Sequence, residues 1–110
     1  MPSIDIDSIV KTTLSKSEEL AKTLFRNYVT QANEDVDDFL KRAKEGIKRA
    51  TQLRVEGKID DEDLEDLILG KKDLALMHAL KQVGLAKAAV DTFVNGVMQI
   101  LLDAVFAAIP

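Results

Sequence analysis

The sequence predicts an all-α protein that forms one domain, and three observations lead to this prediction. Both prolines stand at the ends of the chain, so residues 3–109 contain no strong helix breaker. Alanine, leucine, lysine, glutamate and aspartate dominate that interval, a composition typical of helices. Apolar residues also recur three and four positions apart over most of the chain. At 110 residues the chain is long enough for a single hydrophobic core.

The first half of the chain predicts one long amphipathic helix over residues 17–56, with a short helix over residues 8–15 before it. At about 100° per residue, the apolar side chains from Val10 to Leu53 fall within one arc of roughly 140°. The opposite side carries charged residues, several of them at the i,i+4 spacing that favours ion pairs. Residues 8–15 are either a helix of their own or the first turns of the long one.

Gly57 and Asp60 mark the point at which the chain reverses. Gly57 can adopt the positive φ that ends a helix, and Asp60 can cap the next one. A short helix is therefore predicted over residues 60–69, with Leu64, Leu67 and Ile68 as its apolar side. A final helix is predicted over residues 72–109, in which Gly84 is either a kink or a break. Together these elements form a long helical hairpin with a short connecting helix.

The second half of the final helix is unusually apolar. Between residues 85 and 109 six side chains are polar, and five of them recur every fourth residue as one thin row. Twelve large apolar side chains occupy the same interval, and their full burial represents about 18 to 36 kcal/mol of transfer free energy as an upper bound. One amphipathic partner helix covers only one side of such a cylinder. The sequence therefore predicts that something outside the chain covers the rest.

The leading prediction for that cover is a second copy of the chain. Two hairpins would pair as a homodimer or higher oligomer, and their apolar helices would fill the centre of a four-helix bundle. The predicted interface consists of Gly84, Ala88, Phe93, Gly96, Val97, Ile100, Leu101, Val105 and Phe106. The small residues at spacing four, from Gly84 to Gly96, either let two helix backbones approach closely or simply fit a crowded core. Parallel and antiparallel pairing of the copies both remain open.

A lipid membrane or a helix of another protein is the alternative cover. Residues 85–109 are long enough to span a bilayer. However, Asp91 and Asp103 would each cost about 2.5 to 3.5 kcal/mol near its centre. A helix lying on a membrane surface would carry more basic residues along its polar edge than Lys87 alone. These charges place lipid association below self-association.

The motifs favour a non-enzymatic structural or interaction protein. The chain has no cysteine, which excludes disulfides and thiolate chemistry. His78 is the only histidine, and the acidic run at residues 60–66 fails the calcium-loop pattern, so no metal or cofactor is predicted. No phosphate-binding glycine loop or nucleophile motif occurs, so no small-molecule substrate and no enzymatic activity are predicted.

Charge and the amino-terminal sequence bear on partners and location. The net charge of -4 argues against general affinity for nucleic acid. A basic segment at residues 41–54 follows an acidic one, and residues 60–66 are expected near its end across the turn. This pattern predicts a salt-bridged surface rather than a phosphate-binding one. The sequence begins without a basic region followed by an apolar run, so a cytoplasmic location is expected.

Overall fold

The computed structural model describes residues 4–110, and these confirm the all-α, bundle-like fold. Five α-helices follow one another within the described residues, with a 3-10 helix, Gly70–Leu74, directly after the third. They are α1 (Ile6–Leu24), α2 (Val29–Val55), α3 (Asp61–Leu69), α4 (His78–Gln82) and α5 (Lys87–Ala107).

The long helix predicted over residues 17–56 is divided in the structure. Residues 8–15 belong to α1, which ends at Leu24, and α2 begins at Val29. Between them Phe25 turns into the core, and its ring meets the Phe93 ring edge-on with 5.3 Å between centroids. The Tyr28 N–H donates a 2.9 Å hydrogen bond to the Phe25 carbonyl and closes the turn. Burial of an aromatic side chain thus reverses the chain where neither Gly nor Pro is present.

The final helix predicted over residues 72–109 is also divided. Its first part is the end of the 3-10 helix followed by α4, and only α5 is long. Two residues with positive φ stand at the breaks: Met77 at 56°, directly before α4, and Gly84 at 83°, after it. Gly84 therefore ends a helix rather than kinking one, because glycine adopts this left-handed backbone without a steric penalty.

The short helix α3 follows its prediction more closely. The Asp60 carboxylate accepts a hydrogen bond from the Asp63 N–H, and the Asp63 carboxylate accepts one from the Asp60 N–H. This capping box fixes the start of the helix. Leu64 and Ile68 are fully buried, but Leu67, predicted on the same apolar side, is 42% exposed. The inner side of α3 is therefore narrower than predicted.

The elements pack as four rods, each antiparallel to its neighbours. The first rod is α1, the second is α2, the fourth is α5, and the third rod consists of α3, the 3-10 helix and α4 in sequence. Both α1 and the third rod pack against α2 and α5, which therefore lie diagonally. The directions follow from four contacts: Lys44 with Asp7, Arg54 with Asp61, Asp35 with Ala79, and Gly96 with Leu20. The result is an up-down-up-down bundle measuring 45 × 20 × 19 Å.

The apolar side chains of the last helix are covered within the chain. Of the twelve large apolar residues between positions 85 and 109, eight are buried, four are partly buried and none is exposed. The four partly buried residues are Leu85, Ile100, Phe106 and Ile109. The thin polar row from Lys87 to Asp103 is what α5 presents to solvent. Most of these side chains therefore need no cover from outside, because the turn at Phe25 supplies a fourth rod from the same chain.

Candidate interaction surface

The nine residues predicted to form an oligomer interface do not form one surface in the structure. Phe93, Val97, Leu101 and Val105 are fully buried in the core of the single chain. Ile100 and Phe106 are partly buried, and only Gly84 and Ala88 are exposed. The four buried side chains cannot touch a partner while the bundle stays closed. Hydrophobicity alone does not distinguish the core of a monomer from a contact between copies, so this interface stays a prediction, and one that would require the bundle to open.

The ninth residue, Gly96, explains the small-residue row. A Cβ built on Gly96 would lie 2.4 Å from Cδ2 of Leu20, so this glycine lets α5 approach α1 closely. Gly84 lies in a turn and Ala88 and Thr92 face solvent, so the four small residues do not share one contact. Of the two explanations given for the row, close packing inside the bundle accounts for Gly96.

The described residues show neither a metal site nor a helix that stands out as a membrane anchor. Among residues 4–110, no group of three or more His, Asp or Glu side chains is placed to hold a metal ion. By length and composition alone, α5 is long and apolar enough to cross a membrane. The core helix of a soluble protein passes the same test, and most of the apolar side chains of α5 are buried against other helices.

Asp35 is a buried carboxylate that the sequence analysis treated only as part of an acidic segment. From α2 it accepts hydrogen bonds from the backbone N–H groups of Ala79 and Leu80, at 2.9 and 2.8 Å. It therefore caps the first turn of α4 from another helix, directly after Met77. Asp35 stands three residues after Ala32 and four before Phe39, on the apolar stripe of α2. A charge on that stripe was the available signal, because a buried carboxylate needs partners.

A largely apolar surface depression lies on α2 and continues between α2 and α3. Its larger part, of about 290 Å³, is lined by two cations, two carboxylates, a glutamine and a leucine: Lys48, Arg49, Glu45, Glu56, Gln52 and Leu53. Arg49 and Leu53 also line the smaller part, of about 140 Å³, together with Leu67 and Lys71. We call the two parts the α2–α3 groove. Its leucines form a short apolar seam at the protein surface.

The charges around this groove are unevenly paired. Four cations of the basic segment have carboxylate partners: Lys41 with Asp37, Arg42 with Asp38, Lys44 with Asp7, and Arg54 with Asp61. The last pair confirms that the acidic run lies near the end of the basic segment. The hydrogen bond and the charge of Asp37 raise the pKa of Lys41. Within the described residues no carboxylate lies within ion-pair distance of Lys48, Arg49 or Lys71, the three cations that line the groove.

A second depression lies between the third rod and α5. It has two adjoining parts, of about 400 and 360 Å³, which share Lys81, Val90 and Asp91. Lys72 and Asp73 line the first part, so acidic and basic side chains alternate around it. This mixture of charges selects neither an anion nor a cation. The α2–α3 groove also has both charges in its lining, but it is the more apolar of the two surfaces.

No known protein family matches the sequence, and neither a curated protein nor a solved structure shows significant similarity to it.

Proposed function

We propose that the protein is non-enzymatic and acts as a homo-oligomeric interaction protein in the cytoplasm. The α2–α3 groove carries this proposal, because it combines an apolar seam with cations that have no partner in the described residues. Leu67 is 42% exposed and shares the groove with Leu53. Single exposed leucines are common, but an apolar centre with a charged rim is the usual anatomy of a protein interface.

The α2–α3 groove, and not α5, now supports self-association. It lies on the side of the third rod that faces away from α5. Burial of α5 inside one chain removes the original reason for expecting a second copy. The groove replaces it with a surface that a folded monomer can offer without opening. The bundle keeps its core, and Lys48, Arg49 and Lys71 are free to meet carboxylates of a partner.

Lipid association is the less favoured alternative, since it relied on an exposed apolar α5. Most of that helix's large side chains already have partners inside the bundle. Liposome flotation tests it directly. Protein that floats with the vesicles while its helical content is unchanged would support the lipid alternative, and protein that stays in the soluble layer would not.

Sedimentation velocity tests the proposed function. Over a range from about 1 to about 100 µM, we expect the weight-average mass to rise above the monomer mass of 12.1 kDa. Leu67→Ser should weaken this association. Leu24→Ser is the matched control, because Leu24 is 39% exposed but lies at the end of α1, away from the groove. A wild-type mass that stays at the monomer value at every concentration would overturn the proposal.

A further inference from the structure

We infer that the partner on the α2–α3 groove is a second copy of this chain, related by a two-fold axis that places α3 of each copy on α2 of the other. The inference rests on the proposed self-association and gives it a geometry. It follows from three observations: the opposite charges of α2 and α3, the order of charged and apolar residues across the groove, and the area that a stable dimer requires.

The two helices that border the groove have opposite charges. Residues 41–56, the second half of α2 with Glu56 directly after it, contain six basic and two acidic side chains, a net charge of +4. The nine residues of α3 contain five acidic side chains and no basic one, a net charge of -5. Within the described part of the chain only the Arg54–Asp61 pair joins α2 to α3. Four of the six basic residues have ion pairs, so Lys48 and Arg49 are the ones available to another molecule. On α3 the available carboxylates are Glu62, Glu65 and Asp66, since Asp61 pairs with Arg54 and Asp63 completes the capping box.

These charges lie on opposite sides of the leucine seam. Leu64 and Ile68 are buried and fix the inner side of α3, while Leu67 lines the groove next to α2. Asp66 comes one residue earlier, so it points about 100° around the helix from Leu67 and lies farther from α2. Arg49 lines the groove from the α2 side. Across the surface the order is therefore a basic strip formed by Lys48 and Arg49, the apolar seam, and an acidic strip on α3. Glu45 and Glu56 also line the α2 side, next to the basic strip.

A two-fold rotation about the seam makes this order self-complementary. The basic strip of each copy then lies over the acidic strip of the other, and Leu67 of each copy meets the seam of its partner. A foreign acidic helix would match the basic strip but leave the carboxylates of α3 without partners. A second copy satisfies both strips at once, which is why we favour it as the occupant.

The area requirement supports the same arrangement. A stable interface buries about 800 Å² on each partner, roughly one eighth of the 6407 Å² surface of this chain. Two leucines cannot supply that area, so the flanking strips of α2 and α3 must take part in the contact. Because the strips are charged and lie near solvent, we expect the dimer to weaken as the salt concentration rises.

A charge-swap experiment tests the geometry. Arg49→Glu places an acidic side chain in the basic strip, and Asp66→Lys places a basic side chain in the acidic strip. Like charges then meet at two symmetry-related points, so each variant alone should self-associate about tenfold or more weakly than the wild type. An equimolar mixture should form a mixed dimer close to wild-type strength, because unlike charges meet again at both points.

Both substitutions are chosen to leave the fold intact. Arg49 has no ion pair within the described residues, and Asp66 lies in the second half of α3, where a lysine suits the helix dipole. Circular dichroism should show unchanged helix content for each variant. Arg26→Glu is the control, because it changes the net charge by the same amount in the exposed turn between α1 and α2 and should leave the dimer unchanged.

The possible outcomes test the two-fold pairing and the self-association separately. Weak self-association of each variant, with recovery in the mixture, supports the two-fold pairing of α2 with α3. A wild type that dimerises together with variants that dimerise equally well overturns this pairing and leaves the proposed self-association standing. A wild type that is monomeric at all concentrations overturns both.

Discussion

Two neighbouring rods of the bundle, α5 and the third rod, are built in opposite ways. α5 is an uninterrupted helix of 21 residues, and apolar side chains form its inner surface. The third rod spans residues 61–82 in three short pieces. Specific polar and backbone features hold these pieces: the Asp60 capping box, the left-handed Met77 and the buried Asp35 carboxylate.

The two rods are therefore stabilised by different kinds of contact. α5 is stabilised by many apolar contacts, so it unfolds together with the core. In the third rod, α4 has only five residues, too few to be stable alone, and its first turn relies on a carboxylate from another helix. We therefore expect substitutions in α5 to act on global unfolding and those in the third rod to act first on local opening.

Phe93→Ala should have the largest effect. The Phe93 side chain is fully buried and contacts the Phe25 ring, which closes the turn between α1 and α2. Its removal leaves a cavity in the core and should lower the free energy of unfolding by about 3 to 5 kcal/mol. Urea denaturation followed by circular dichroism measures this loss. Phe106→Ala, at a partly buried position of the same helix, should cost clearly less, and equal losses would contradict the described core.

Asp35→Ala should have a smaller effect that is concentrated in α4. It leaves the buried Leu80 N–H and its neighbour at Ala79 without an acceptor, which should cost about 2 to 3 kcal/mol. Hydrogen exchange should speed up in residues 78–82 before it does so in α1 or α5. The control is Asp38→Ala, which removes only an exposed ion pair with Arg42. Uniform acceleration along the whole chain would show that α4 does not open separately.

The features of the fold that could be predicted are those that depend on residues close together in the sequence. The apolar stripe from Ala32 to Ala50 is buried as its spacing predicts. Asp60 caps α3, and the acidic run meets the end of the basic segment through Asp61. Each of these depends on residues a few positions apart, so periodicity and capping rules are sufficient to find them.

The turn at Phe25 could not be predicted in this way. The apolar stripe passes through it in phase and no breaker residue marks it, so the local sequence is equally consistent with one long helix. What selects the turn is the contact of Phe25 with Phe93, a residue of another rod. Once that turn was missed, the chain had too few rods to cover α5, and the oligomer interface was assigned to residues that form the core.

The candidate surface was missed for a related reason. Leu67 was predicted on the buried side of α3, and only the orientation of that helix on α2 shows that its side chain lines a groove. That Lys48 and Arg49 have no ion pair among residues 4–110 likewise depends on which carboxylates the fold brings near them. The sequence contains these residues, but their pairing is a property of the packed helices.

The smallest predicted effect is the difference in stability between glycine and alanine at Met77, and it contrasts the third rod with α5. The φ of 56° at this position destabilises a residue with a Cβ by about 1 kcal/mol or more, but it does not destabilise glycine. Met77→Gly and Met77→Ala both remove a buried side chain, so the difference in their stability isolates the effect of the backbone: the glycine variant should be the more stable by about 1 kcal/mol.

At Asn95, exposed in the middle of α5, the same pair of substitutions should show the reverse order, because alanine favours a regular helix by about 1 kcal/mol. Urea denaturation of the four variants measures both differences. If alanine were the better residue at both positions, the third rod would be continuous at Met77, and its contrast with α5 would disappear.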